Sequence, residues 1–70
     1  MKLDYIILEM DLKKKQYALG LSERETNEMI GISRATRWRI SKGKTITVET
    51  LCKLIEFTEF NIERYFLRNK

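Results

Sequence analysis

The sequence predicts an all-α domain, a bundle of five short helices. Three observations carry that prediction. The chain has no proline, and its three glycines, Gly20, Gly31 and Gly43, each fall where an apolar pattern breaks, the place where glycine is favoured just past a helix. Apolar residues recur three and four apart, and strict alternation is sustained nowhere. Ser22, Ser33, Thr47 and Asn61 each precede such a stretch, and their side-chain oxygens suit the open N–H groups of a first helical turn.

The first helix is expected from about Leu3 to Ala18, although the first six residues also read as an extended arm. Tyr5, Leu8 and Leu12 share one face, extended by Leu19; Leu3, Ile6, Ile7, Met10 and Tyr17 form a second apolar face nearly opposite. Two faces need two partners: the domain core, and either the last helix or a second copy of the chain. The run Lys13 to Lys15 reads as a solvated face. The second helix starts after Ser22, with Glu25 placed for a capping box, and ends at Ile30 before Gly31. The third starts after Ser33 and runs to Lys42, with Gly43 ending it. The fourth starts after Thr47 and carries Leu51, Leu54, Ile55 and Phe57 on its apolar side. The fifth starts after Asn61 and carries Ile62, Tyr65 and Phe66.

Composition narrows the function. Seventy residues make one domain, 1–70, which buries only about 60% of its unfolded surface and has little stability to spare. A lone Cys52 excludes an internal disulfide and reads as a reduced core thiol; with no histidine, a structural zinc site is not expected. No cofactor or small-molecule ligand is expected either. No apolar run approaches the length of a membrane span, and the opening "MKLDYIILEMDLKKK" is broken by Asp4, Glu9 and Asp11, so a cytoplasmic protein with no membrane contact is expected. There is no nucleophile elbow, no phosphate-cradling glycine loop and no metal set, which argues against an enzyme. The formal net charge of +4 is moderately basic and hints at an anionic partner.

The charge is not evenly spread. No acid occurs from Met29 through Val48, and "GISRATRWRISKGK", residues 31–44, holds five basic residues and the only tryptophan. On a helix, Arg34, Trp38, Lys42, Ala35 and Arg39 fall within one half of the circumference at about 100° per residue, while Thr36 and Ile40 turn toward the core. A face of cations, one aromatic and one small residue suits a helix lying in the major groove, where arginine pairs with guanine and an alanine permits close approach. A carboxylate there would meet phosphate and be repelled.

The segment "GLSERETNEMIGISRATRWRISKGK" resembles the DNA-binding unit of the phage Cro/repressor-type (XRE-like) family, and "TVETLCKLIEFTEFNIERYF" resembles that family's fourth and fifth helices; the likeness covers about residues 8–66. It implies a lambda-repressor-like five-helix domain whose helix-turn-helix spans residues 22–43, with residues 34–42 as the recognition helix. Such a domain binds double-stranded DNA as a homodimer. Its base-reading positions correspond to Arg34, Ala35 and Arg39, joined here by Trp38. Phosphate contacts are expected from Ser22, Arg24, Ser33, Thr36, Lys42 and Lys44. Dimerisation is expected through residues 1–10 (Ile6, Ile7, Met10) or 61–70 (Ile62, Tyr65, Phe66). A transcriptional regulator follows, repressing by occupancy. The alternative is a helix-turn-helix used to grip another regulator, as an antirepressor or antitoxin-like partner, with Trp38 as the anchor.

The chain departs from that family in three places. Thr26 and Asn27 stand where Leu and Ala are usual, and Arg37 where Val or Ile is usual, all at the contact between the second and third helices. An unpaired buried charge would cost several kcal/mol, on the order of 3–5. Arg37 is therefore expected either to be satisfied by Asn27, Thr26 or a nearby acid such as Glu23, or to be exposed by a rotated third helix that sends Trp38 into the core. Gln16 and Ser41 replace an Arg–Glu pair together, leaving no orphan charge. Glu23 replaces a usual Gln beside the DNA backbone, with Arg24 next to it as compensation.

Overall fold

The computed structural model describes residues 2–67. It is mostly helical: α1 spans Tyr5–Ala18, α2 Glu23–Ile30, α3 Arg34–Ser41 and α4 Val48–Thr58. Each start follows its cap. Ser22 and Glu25 form a complete capping box, and the hydroxyls of Ser33 and Thr47 accept from the N–H groups of Thr36 and Thr50 at 3.1 Å. Gly31 (φ 89°) and Gly43 (φ 69°) take left-handed conformations after α2 and α3, which a side chain would oppose.

The C-terminal end differs from expectation, and of residues 2–6 only Lys2–Leu3 are an extended strand. Among the described residues there is no fifth α-helix: Ile62–Tyr65 form a single 3₁₀ turn, and Phe66–Leu67 (β2) then run extended and antiparallel to Lys2–Leu3 (β1), with Leu3 opposite Phe66. The first helix begins at Tyr5 because Asp4 caps it, its carboxylate accepting from the N–H of Ile7 at 3.1 Å. Residue 1 and residues 68–70, at the ends of the two expected dimerisation segments, lie outside the described residues.

The core is Leu8 and Leu12 of α1, Ile30 of α2, Ile40 of α3, Leu54 of α4 and Tyr65, with Leu51 at its margin. Leu3, Tyr5, Ile7, Ile32, Ile46, Ile55 and Phe57 pack around it. Two expected core members are outside: Leu19, past the end of α1, is half-exposed, and Cys52, next to buried Leu51 but turned about 100° further round α4, is exposed. Lys15 leaves the solvated lysine run by pairing with Glu59 at 2.6 Å and lying over the Phe57 ring.

A polar cluster ties the C-terminal turn to α1. Asp11, buried between Leu8 and Leu12, accepts from Arg64 at 2.7 and 3.1 Å and from the Tyr65 hydroxyl at 2.8 Å; the Thr58 hydroxyl lies 3.0 Å from the same phenol. The hydrogen bond from Arg64 holds the Asp11 carboxyl below the usual carboxylate range. Burial pushes the Tyr65 phenol from 10.0 up to about 12. A phenol whose pKa is raised in the folded state stabilises the fold fully below its unfolded pKa and loses that contribution as pH rises through the folded one. Unfolding stability is therefore expected to fall between about pH 10 and about pH 12, on the order of 2 kcal/mol. Tyrosinate absorbance of the native chain minus that of Tyr65→Phe should show the late midpoint; a difference curve centred near 10 would contradict it.

Candidate nucleic-acid interface

The orientation of α3 decides whether its basic face is available, and Arg37 sets it. This residue is 3% exposed. Its guanidinium donates to Glu9 Oε1 at 3.2 Å, to Asn27 Oδ1 at 3.1 Å and to Gln16 Oε1 at 3.4 Å. A buried charge satisfied on three sides avoids the cost of an unpaired one. The expected partner Asn27 is there. Thr26 is fully buried but spends its hydroxyl on the carbonyl of Ser22 at 2.8 Å, and Glu23 is not among the partners. The nearby acid is Glu9 instead, and Gln16 joins it, both from α1. The replaced contact between α2 and α3 has thus become a polar one anchored on α1.

With Arg37 and Ile40 inward, the opposite side of α3 faces out. Arg34, Ala35 and Arg39 are exposed and Trp38 is 52% exposed, so the rotated arrangement with Trp38 in the core is not adopted. Arg37 is the one cation of residues 31–44 withdrawn from the surface. Arg34, Arg39, Lys42 and Lys44 remain exposed, and among the described residues none of the four has a carboxylate partner.

Arg39 is held in a particular way. Its Nε and Nη2 donate to the carbonyl of Thr45 at 3.1 and 2.7 Å, folding the guanidinium back over the loop after α3. To read a base edge with both prongs it would have to leave that carbonyl. Lys42 closes α3, and the backbone N–H of Lys44 donates to the carbonyl of Arg39 at 2.8 Å, so both lysines project from a loop fastened to the helix end.

The expected phosphate contacts fare unevenly. At α3, Ser33 and half-buried Thr36 share a hydrogen bond at 2.9 Å beside the exposed helix start. At α2, the Ser22 hydroxyl is engaged with the N–H of Glu25 at 3.1 Å, and the Glu25 carboxylate accepts from the Ser22 N–H at 2.9 Å. The hydrogen bond from the Ser22 backbone N–H holds the Glu25 carboxyl below its usual range. Arg24 is exposed but pairs with Glu28 at 3.2 Å. Glu23 and Glu25 put two carboxylates on the first turn of α2, which disfavours a phosphate there.

Of the residues expected at a dimer interface, Ile6 (74% exposed), Met10 (46%) and Ile62 (39%) are open to solvent. Ile7 and Phe66 are half-buried, with Ile7 packed on the core. Tyr65 is wholly buried and bonded to Asp11, so it cannot meet another chain; the apolar phase that suggested an interface is the phase of a core contact.

No family model matches the chain, and no curated protein or solved structure matches it. No helix is long and apolar enough to cross a membrane among the described residues.

Proposed function

We propose that the chain is a sequence-specific, double-stranded-DNA-binding transcriptional regulator: a helix-turn-helix domain of the Cro/repressor type, acting as a homodimer with α3 in the major groove. The observation that carries the reading is the outward position of Arg34, Ala35, Trp38 and Arg39 on a helix whose inward residues, Arg37 and Ile40, are both buried. Residues 29–48 add to it by holding no carboxylate, so nothing on that helix or its flanking turns repels phosphate. Arg34 and Ala35 sit at the start of α3, the end that enters the groove in this kind of docking. Lys42 and Lys44 contact phosphate from the other end, and Arg39 serves either as a second base reader or as the strap that shapes their loop.

A domain this small makes few base contacts, and two copies on half-sites about 34 Å apart supply the missing specificity. With Tyr65 buried, the dimer contact falls to exposed Ile62 and its neighbour Phe60, next to the β1–β2 end.

Two substitutions test the division of labour. Arg34→Ala is expected to relax base preference at one position of each half-site, costing about 1–3 kcal/mol against the preferred base. Lys44→Ala is expected to weaken all duplexes alike. Competition titrations against single-base variants of a bound site measure both; unchanged DNA affinity in the two variants would remove α3 from the interface.

A further inference from the structure

Between α1 and α3, one side of the molecule carries a groove. It consists of two adjoining depressions, of about 500 and about 590 Å³, that share Glu9, Lys13 and Ser41. One wall is a ridge of α1: Ile6, Met10 and Lys13, at the spacing that stacks side chains along a helix. The other is a ridge of α3 at the same spacing: Arg34, Trp38 and Ser41. At the bottom lie the buried Arg37, its partner Glu9, and Ile40. Two helical ridges with a groove between them are a surface into which a third helix can pack. The walls put Ile6, Met10 and Trp38, three of the exposed large apolar residues, on one side of a small domain. Single exposed apolar residues need no explanation, but a grouped set lining a groove does.

The charges select the occupant. Lys13, Arg34 and Lys42 line the groove beside the apolar residues, and Arg37 lies beneath; the carboxylates are Glu9, spent on Arg37, and Glu23 at one end. Lys13, Arg34 and Lys42 have no carboxylate partner among the described residues. We propose that this groove is a docking site for an amphipathic helix of another protein, with an apolar stripe seated between Met10 and Trp38 and acidic flanks facing Lys13, Arg34 and Lys42. Apolar anchors at helical spacing and opposite charge at the rim are how a helix is gripped in a groove. Because Arg34, Ala35 and Trp38 belong to both surfaces, a helix seated here excludes DNA. The exclusion rests on the DNA reading; the docking does not.

The test selects binders to the full chain from a displayed library of helical peptides about 20 residues long, enough to span some 30 Å. Enriched peptides are expected to carry apolar residues at i, i+4 and i+7 with Asp or Glu alongside. The best of them, made synthetically, should bind Met10→Glu and Trp38→Ala at least about tenfold more weakly than the unaltered chain. Met10 is half-exposed, so Met10→Glu should keep its thermal midpoint, which separates lost docking from lost folding. Enrichment of no acidic amphipathic peptide, or binding that survives Met10→Glu, overturns the proposal. So does sedimentation showing that Met10→Glu dissociates a dimer, since the groove would then hold a second copy. Peptide binding by a chain that binds no DNA upholds the docking and refutes the DNA reading, whereas a complex holding both ligands overturns the exclusion.

Discussion

Replacing Arg37 with alanine is expected to destabilise the domain by about 3 kcal/mol, a large part of what a chain of this size has to lose. The loss has two sources. Glu9, with 18% of its side chain exposed, is left without its cation, and the buried Asn27 amide loses the donor that held it. A void also opens between α1, α2 and α3, the three helices that Arg37 bridges. The effect should come from the uncompensated partners and not from the absence of an ion pair as such, because a buried pair replaced by apolar groups of similar volume is often neutral or better. Glu9→Gln with Arg37→Met should therefore recover much of the loss. Urea titrations measure both: the midpoint of Arg37→Ala should fall with its slope unchanged, and the double variant should climb back. A single variant within about 0.5 kcal/mol of the unaltered chain would mean that something other than Arg37 sets the rotation of α3.

The second large effect is on binding. Contacts through about six phosphates release a matching set of counterions, so DNA affinity is expected to fall roughly a thousandfold between about 50 and about 200 mM salt. In a dimer Lys42 and Lys44 supply four of these contacts, and Arg39, once released from the Thr45 carbonyl, supplies the other two. Fluorescence anisotropy of a labelled duplex over a salt series gives the slope. Lys44→Ala should reduce it by about one per copy, and Arg34→Ala should change the preferred sequence more than the slope. A flat salt response would assign the basic face to some partner other than nucleic acid. The pH lever is separate: Asp11, held low by Arg64, contributes stability that is present above its unfolded pKa of 3.8 and lost as pH falls through its lower folded value, well away from neutral binding conditions.

How far the sequence could be read depends on what each signal measures. Caps and glycines act locally, so the starts of α2, α3 and α4 and the turn at Gly31 were legible to the residue. Helical phase was legible too: it placed Ile40 inward and Arg34, Ala35, Trp38 and Arg39 outward. The same phase misled at Tyr65, because an apolar stripe does not say whether it meets its own core or a second chain. Two further signals are present in the sequence. Asp11 lies between Leu8 and Leu12 on the buried face, a position that demands a partner, and Arg64 and Tyr65 supply it from more than fifty residues away. Glu9 and Gln16, two turns apart on α1, mark the strip that receives Arg37. Pairings across the chain depend on how the helices assemble, and spacing within one helix does not contain that. The final helix failed for a related reason: Ile62–Tyr65 are too short a segment to continue as α-helix once Phe66 pairs with Leu3. On the candidate interface, phase alone could not tell that Arg39 would fold back onto Thr45.

The most direct measurement is selection of bound sequences from random duplexes with the purified chain, run at about 50 and about 200 mM salt. Expected is one enriched motif with two-fold symmetry, its half-sites centred about 10 base pairs apart, recovered strongly at the lower salt and faintly at the higher. Recovery of no motif at either salt, or equal recovery of every sequence, would contradict a reading helix on the outward face of α3.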